Sequence, residues 1–269
     1  MKLRHDPFQV FRGSQTPAGL YARQKWLDEA DTPGWQTDFQ EVVEKLFACQ
    51  MPDGSWQQTT MATISALFGL HLTVRSADDR IEDALNWLFH KMQRVLGEVD
   101  NRHGPEVEYT ELKGLPFAPS RSEMLLTGAT LFLCSIFNRQ NDPAVLAVYK
   151  QLHEEEFIKE YLFRDIASLH NIFRALVVHP VYAHEALTTE AVDIYAGMQK
   201  ENGEWGNHLP FYQTVNALAH LNSPEAEAQL ERAFPRLLET QSRNGTWGCR
   251  DTEWKTFLCI HALKNKGLL

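Results

Sequence analysis

One heptad constrains this chain more than any other feature, because it is written three times. Gln50-Met51-Pro52-Asp53-Gly54-Ser55-Trp56, Gln199-Lys200-Glu201-Asn202-Gly203-Glu204-Trp205 and Gln241-Ser242-Arg243-Asn244-Gly245-Thr246-Trp247 all read Gln-x3-Gly-x-Trp. Each copy follows an apolar helical run and precedes another. Asp-Gly or Asn-Gly supplies the positive-φ positions that end a helix tightly. The Gln, placed in the last helical turn, can satisfy orphan backbone groups there, and the Trp opens the return path with a large apolar face. Three copies in one helix-loop-helix context predict a repeat architecture of helical hairpins.

The helical runs follow from apolar spacing. A first helix is expected over 18–28 with Leu20, Tyr21 and Trp26 on its apolar side, after an irregular lead-in over 1–17. Outer, one-sided helices are expected over 36–50 (Phe39, Val42, Val43, Leu46, Phe47), 78–97 (Ile81, Leu85, Leu88, Met92, Val95, with Ser76 as cap), 142–160, 187–199 and 225–241. Each is followed by a more uniformly apolar partner, over 59–73, 121–138, 165–179, 210–221 and 252–264. A helix apolar on every side lies inside. Gln199 and Gln241 are 42 residues apart, and the 149 residues from Gln50 to Gln199 make three further steps once an excursion over 98–120 is set aside. Loops of that length in compact domains are often functional, so 98–120 is a candidate lid.

Gln-x3-Gly-x-Trp resembles the QW motif of the terpenoid cyclase and protein prenyltransferase superfamily, most strongly over 41–73 and 187–264. The resemblance implies an all-α fold, an α/α toroid with inner and outer rings of helices, filling residues 1–269 as one domain. In that family the repeats brace outer helices, so Gln50, Trp56, Gln199, Trp205, Gln241 and Trp247 are expected to be structural. Triterpene cyclases of the superfamily carry two such helical domains, whereas this chain has length for one.

Composition narrows the partners. A net charge of −9 and a pI near 5.7 argue against a nucleic-acid binder. No segment approaches the ~20 apolar residues of a membrane span, and the first residues lack an apolar signal core. A cytoplasmic protein with at most peripheral membrane contact is expected. Cys49, Cys134, Cys249 and Cys259 form no CxxC pair and read as buried free thiols.

The chemistry is less legible. Asp78-Asp79-Arg80-Ile81-Glu82 has the form of a magnesium-diphosphate motif, but acids that open an amphipathic helix are better explained by capping and the helix dipole. The Asp-x-Asp-Asp acid of protonating cyclases is absent. Glu123, Asp165 and the Asp251/Glu253 pair are the acids at inner-helix starts that could replace it. Asp165 has His170 and Asn171 close behind it. Cys249-Arg250-Asp251 with His208 has the residue types of a prenyltransferase zinc site in reversed order, so no metal and no cofactor is assigned. The turn Gly206-Asn207-His208-Leu209-Pro210-Phe211-Tyr212-Gln213 places polar and aromatic groups at the mouth of an inner helix. Phe68, Phe132, Phe211, Tyr212, Trp254 and Phe257 are aromatic candidates for a cavity, although buried aromatics usually serve as core.

These observations predict a cyclase-like protein holding, and possibly converting, an isoprenoid or other hydrophobic small molecule in a central apolar cavity. Asp165, Asp251, His208 and Tyr212 are the catalytic candidates. Glu123, His170, Phe211, Trp254 and Phe257 are the binding candidates. The alternatives are a non-catalytic module whose cavity is filled by side chains, a protein-interaction scaffold, or a carbohydrate enzyme using Glu123 with Asp165. No protein partner is specified.

Overall fold

The computed structural model describes residues 2–96, 112–120, 122–206 and 209–269. The fold is all-α. Among the described residues the helices are α1 (Pro17–Lys25), α2 (Pro33–Ala48), α3 (Thr60–Thr73), α4 (Asp79–Leu96), α5 (Met124–Ile136), α6 (Pro143–Glu154), α7 (Glu156–Arg164), α8 (Ile166–Leu176), α9 (Ala186–Met198), α10 (Phe211–Leu218), α11 (Pro224–Glu239) and α12 (Thr252–Asn265). Several begin alike. Thr16, Thr32, Asp142 and Ser223 each precede a proline, and their side-chain oxygens accept a backbone N–H of the first turn. The oxygen replaces a missing intrahelical acceptor, and proline loses no hydrogen bond at a helix start.

Helix–helix contacts run in a closed cycle, from α1 to α3, α5, α8, α10, α12 and back to α1. The helices α2, α4, α7, α9 and α11 pack outside this cycle, each against members of it. Burial follows the division. In α5, eleven residues from Met124 to Ser135 are buried, whereas α2 buries Trp35 alone. The closest approach in the inner cycle is between α5 and α8, where a Cβ on Gly128 would lie 2.3 Å from the Asn171 carbonyl oxygen.

The three heptads act as clamps between outer elements. In each, the Gln side-chain Nε2 donates to the glycine carbonyl four residues on, at 3.0–3.1 Å. The same nitrogen donates to a carbonyl of the next outer element: Arg80 at 2.7 Å, Gln229 at 2.9 Å and His5 at 2.9 Å. The clamp glycines Gly54, Gly203 and Gly245 have φ of +86°, +82° and +84°, and a Cβ on any of them would strike the backbone of Asp83, Arg232 or Asp6. Trp56 and Trp247 donate Nε1 back to Leu46 and Leu237 carbonyls of the preceding outer helix. Trp205 instead donates to the buried Gln229 side chain. The glutamines therefore do not satisfy the end of their own helix, as the sequence suggested. They lie just beyond it and tie one repeat to the next.

Other expectations are corrected. The outer helix expected over 142–160 is two helices, because Glu155 is extended and interrupts it. Asp78, not Ser76, caps α4 by accepting the Ile81 N–H at 3.0 Å. The lead-in is not merely irregular, since Gln9–Phe11 form a 3-10 turn and Phe11 is fully buried. All four cysteines are free, but only Cys134 and Cys259 are buried; Cys49 and Cys249 are exposed.

Gln241 closes the outer layer. Its oxygen accepts the Arg4 and His5 N–H groups while its nitrogen donates to His5. At about 1 kcal/mol for each such bond, Gln241→Ala should cost roughly 2–3 kcal/mol. For a chain of this size that lowers the melting temperature by roughly 4–12 °C in calorimetry. Gln50→Ala, which leaves the ends of the chain joined, should expose residues 2–8 to proteolysis far less than Gln241→Ala does.

Candidate functional site

At the closing junction of the inner cycle, starts meet starts. Glu253 at the start of α12 accepts hydrogen bonds from Ser14 and Thr16 just before α1. Further along both helices, His261 of α12 lies 6.3 Å from Tyr21, midway along α1. The inner helices thus present their N-terminal ends to one side, and two recesses open there.

The larger, about 730 Å³, lies between the starts of α8 and α10 and is bordered by Asp165, Trp205, Phe211 and Tyr212. The smaller, about 530 Å³, is bordered by Phe68 and Leu72 of α3, Leu115, Asp251 and Trp254. Its walls are mainly apolar. Between the recesses runs the segment 112–120, which is held in place at three points. The Asn171 side chain accepts the Ala118 N–H at 2.7 Å and donates to the Ala118 carbonyl at 3.0 Å. Trp254 donates to the Leu115 carbonyl, and Asp251 accepts the Gly114 N–H at 3.3 Å. Leu112, Leu115, Phe117 and Ala118 are buried. The described end of the expected lid is therefore an integral part of the wall. The remainder, 98–111, lies outside the described residues.

Among the described residues, aromatic side chains occupy much of the interior in which the sequence suggested an apolar cavity. A chain of ring contacts crosses it, from Phe117 to Phe132 (5.7 Å), Phe68 (6.0 Å), Trp254 (5.6 Å) and Phe257 (5.2 Å), ending on Tyr21 and Trp26 of the first helical segment. Such edge-to-face and offset pairs pack as core. Phe257 belongs to this packing and borders neither recess.

The candidate residues are thus dispersed. Asp165, Phe211 and Tyr212 share the larger recess, whereas Asp251 and Trp254 share the smaller. Asp165 accepts a short hydrogen bond from Ser168 in the first turn of α8. Asp251 adopts a left-handed conformation, φ 51°, and anchors Gly114. Burial pushes the Tyr212 hydroxyl up to about 12, and the Lys255 ammonium sits 5.7 Å from its ring centre. Glu123 stands before α5 and is not among the residues that border either recess. His208, and with it the zinc arrangement, lies outside the described residues. Among the described residues no group of three or more His, Cys, Asp or Glu could hold a metal ion.

His170 is not at a mouth at all. It is fully buried in α8 beside Tyr195, with centroids 6.3 Å apart, and its ring nitrogens make no hydrogen bond of good geometry, although the Pro116 carbonyl lies close enough to favour the protonated form. Burial first, then the neighbouring Arg174, pulls it down to about 3. The same burial effect brings His71 and His261 to about 4. Sequence reading passed over Arg174 and these histidines, although a cation within an otherwise apolar inner helix was the available signal.

Comparison with known proteins adds the fold alone. No family model and no curated protein matches the chain. A crystal structure of a protein from Actinoplanes is similar over 96% of this chain and 90% of that one, with a TM-score of 0.54 and 15% identity. No helix among the described residues is long and apolar enough to cross a membrane.

Histidines with depressed values remain neutral when folded but take up protons when unfolded below about pH 6.5, so stability falls with pH through that window. Melting temperature should therefore drop steadily between pH 7 and pH 5, above the range in which carboxylates protonate. His170→Phe, which removes two buried nitrogens without a well-formed hydrogen bond, should keep or raise the melting temperature at pH 7 and flatten this slope. A slope unchanged in that variant would assign the effect elsewhere.

Proposed function

We propose that the chain is an α/α toroid of the terpenoid cyclase type that binds an isoprenoid or other lipid-like small molecule in the smaller recess. The closed cycle of inner helices and the three interlocking heptads support the toroid reading. The observation that carries the ligand reading is the recess itself, whose volume of about 530 Å³ is walled by Phe68, Leu72, Leu115 and Trp254. Small-molecule sites are of this size, mostly apolar, with few polar groups to orient the ligand. Asp251 and Glu253 are carboxylates at its edge, and Glu253 is engaged by Ser14 and Thr16. The hydrogen bond between Asp251 and Gly114 ties any movement of 112–115 to the recess.

A second reading is favoured by the ring contacts that fill the interior: the toroid is then a non-catalytic module. Lipid extraction with native mass spectrometry on protein purified from its host separates the two. Titration of squalene, farnesol and decanol followed by tryptophan fluorescence complements it. Binding should weaken roughly tenfold or more in Trp254→Ala, from the loss of a large apolar contact, while circular dichroism shows unchanged helix content. A protein that carries no lipid and ignores all three compounds would leave the module reading in place.

A further inference from the structure

The opposite end of the inner cycle holds a concentration of basic groups that neither recess uses. Arg174 of α8 is 3% exposed, and its one hydrogen bond to protein runs from a terminal guanidinium nitrogen to Asn216 Oδ1 of α10, at 3.0 Å. Its Nε has no acceptor. The Asn216 amide nitrogen donates to the Leu258 carbonyl and lies 3.2 Å from His261 Nδ1 of α12. His261 is 5.5 Å from the His220 ring and 6.3 Å from Tyr21 of α1. The Arg75 guanidinium, just beyond α3, lies 4.5 Å over the Tyr21 ring and donates to Gln24, again leaving its Nε without an acceptor. His71, one turn earlier, has an unpaired Nδ1. Five of the six inner helices thus bring basic or donor groups to one end.

Among the described residues, no carboxylate balances them. The charged neighbours acting on Arg174, His71, His220 and His261 are one another, Arg75, Tyr195 and Lys266. Lys266 is itself engaged by Glu227. Helix C-termini carry partial negative charge and ease this concentration, but they do not supply acceptors to the unpaired N–H groups. Arg174 has only the neutral Asn216 oxygen and the Phe132 ring, 5.5 Å away, to offset its charge, and cations are retained inside proteins where an anion pairs with them. His71, Arg75, His220, His261 and Tyr21 are half-buried, so the group lies near the surface although its unpaired nitrogens are covered.

We infer that Arg174 and Arg75, with His71, His220 and His261 around them, form a binding site for a small oxyanion, a phosphate or carboxylate. The guanidinium fork and neutral histidine N–H groups donate to its oxygens. The anion comes either free or as the head group of an amphiphile. The latter source rests on the ligand proposed above, since Phe68 borders the apolar recess and also lies 6.1 Å from His71.

The test is thermal shift and calorimetric titration of the full chain with inorganic phosphate, decyl phosphate and decanol against chloride at equal ionic strength. Arg174→Met and Asn216→Asp are the variants. Arg174→Met removes the unpaired cation, and Asn216→Asp supplies an internal carboxylate in the anion's place. Both should melt at or above the wild-type temperature without ligand, and both should bind the anion at least tenfold more weakly. Binding of inorganic phosphate assigns a free anion, whether or not decanol binds. Decyl phosphate binding at least tenfold tighter than decanol, without phosphate binding, assigns a head group. If neither anion binds better than chloride, or if both variants bind as wild type does, the inference is overturned.

Discussion

The structure depends on one hydrogen-bonded clamp, made three times and used the third time to join the two ends of the chain. A glutamine amide can hold two carbonyls at once only if both approach it closely, and the glycine four residues on permits that approach. Gln50 and Gln199 each reach a carbonyl thirty residues further along, Arg80 and Gln229, so those contacts are repeat to repeat. Gln241 takes the backbone at His5 rather than an outer helix. The N-terminal segment thereby fills the last outer position, and the Glu253 contacts to Ser14 and Thr16 seal the inner layer beside it.

Closure gives the molecule two chemically different ends. At the N-terminal ends of the inner helices the segment 112–120 is hydrogen-bonded into the wall, leaving one mixed recess and one apolar recess. At the C-terminal ends are arginines and histidines with unpaired nitrogens. Between the ends, aromatic rings pack across the interior and separate the two environments. Burial holds the interior histidines neutral and places their cost on the acid side of neutrality.

The helices were readable because their cause is local. Apolar spacing and Asp-Gly or Asn-Gly stops act within a few residues, and the expected elements lie close to those observed. Glu155 broke one helix because an extended residue in an acidic run leaves no mark in the apolar pattern. The site residues were harder to read. Asp165 and Asp251 are equivalent in sequence, both acids at inner-helix starts, yet they border different recesses. His170 looked like a partner for Asp165 by proximity in sequence, but helical rotation carries it into the core.

By itself the sequence determined an all-α chain of repeated hairpins, because helix formation, capping and the thrice-written turn depend on neighbours a few residues away. Only the tertiary structure decided which carbonyl each glutamine holds, that the interior is packed with rings, and that basic groups from five inner helices converge. Those outcomes depend on contacts between residues far apart in the chain, as with Arg174 and Asn216, and on the exclusion of water around them. No local pattern encodes either.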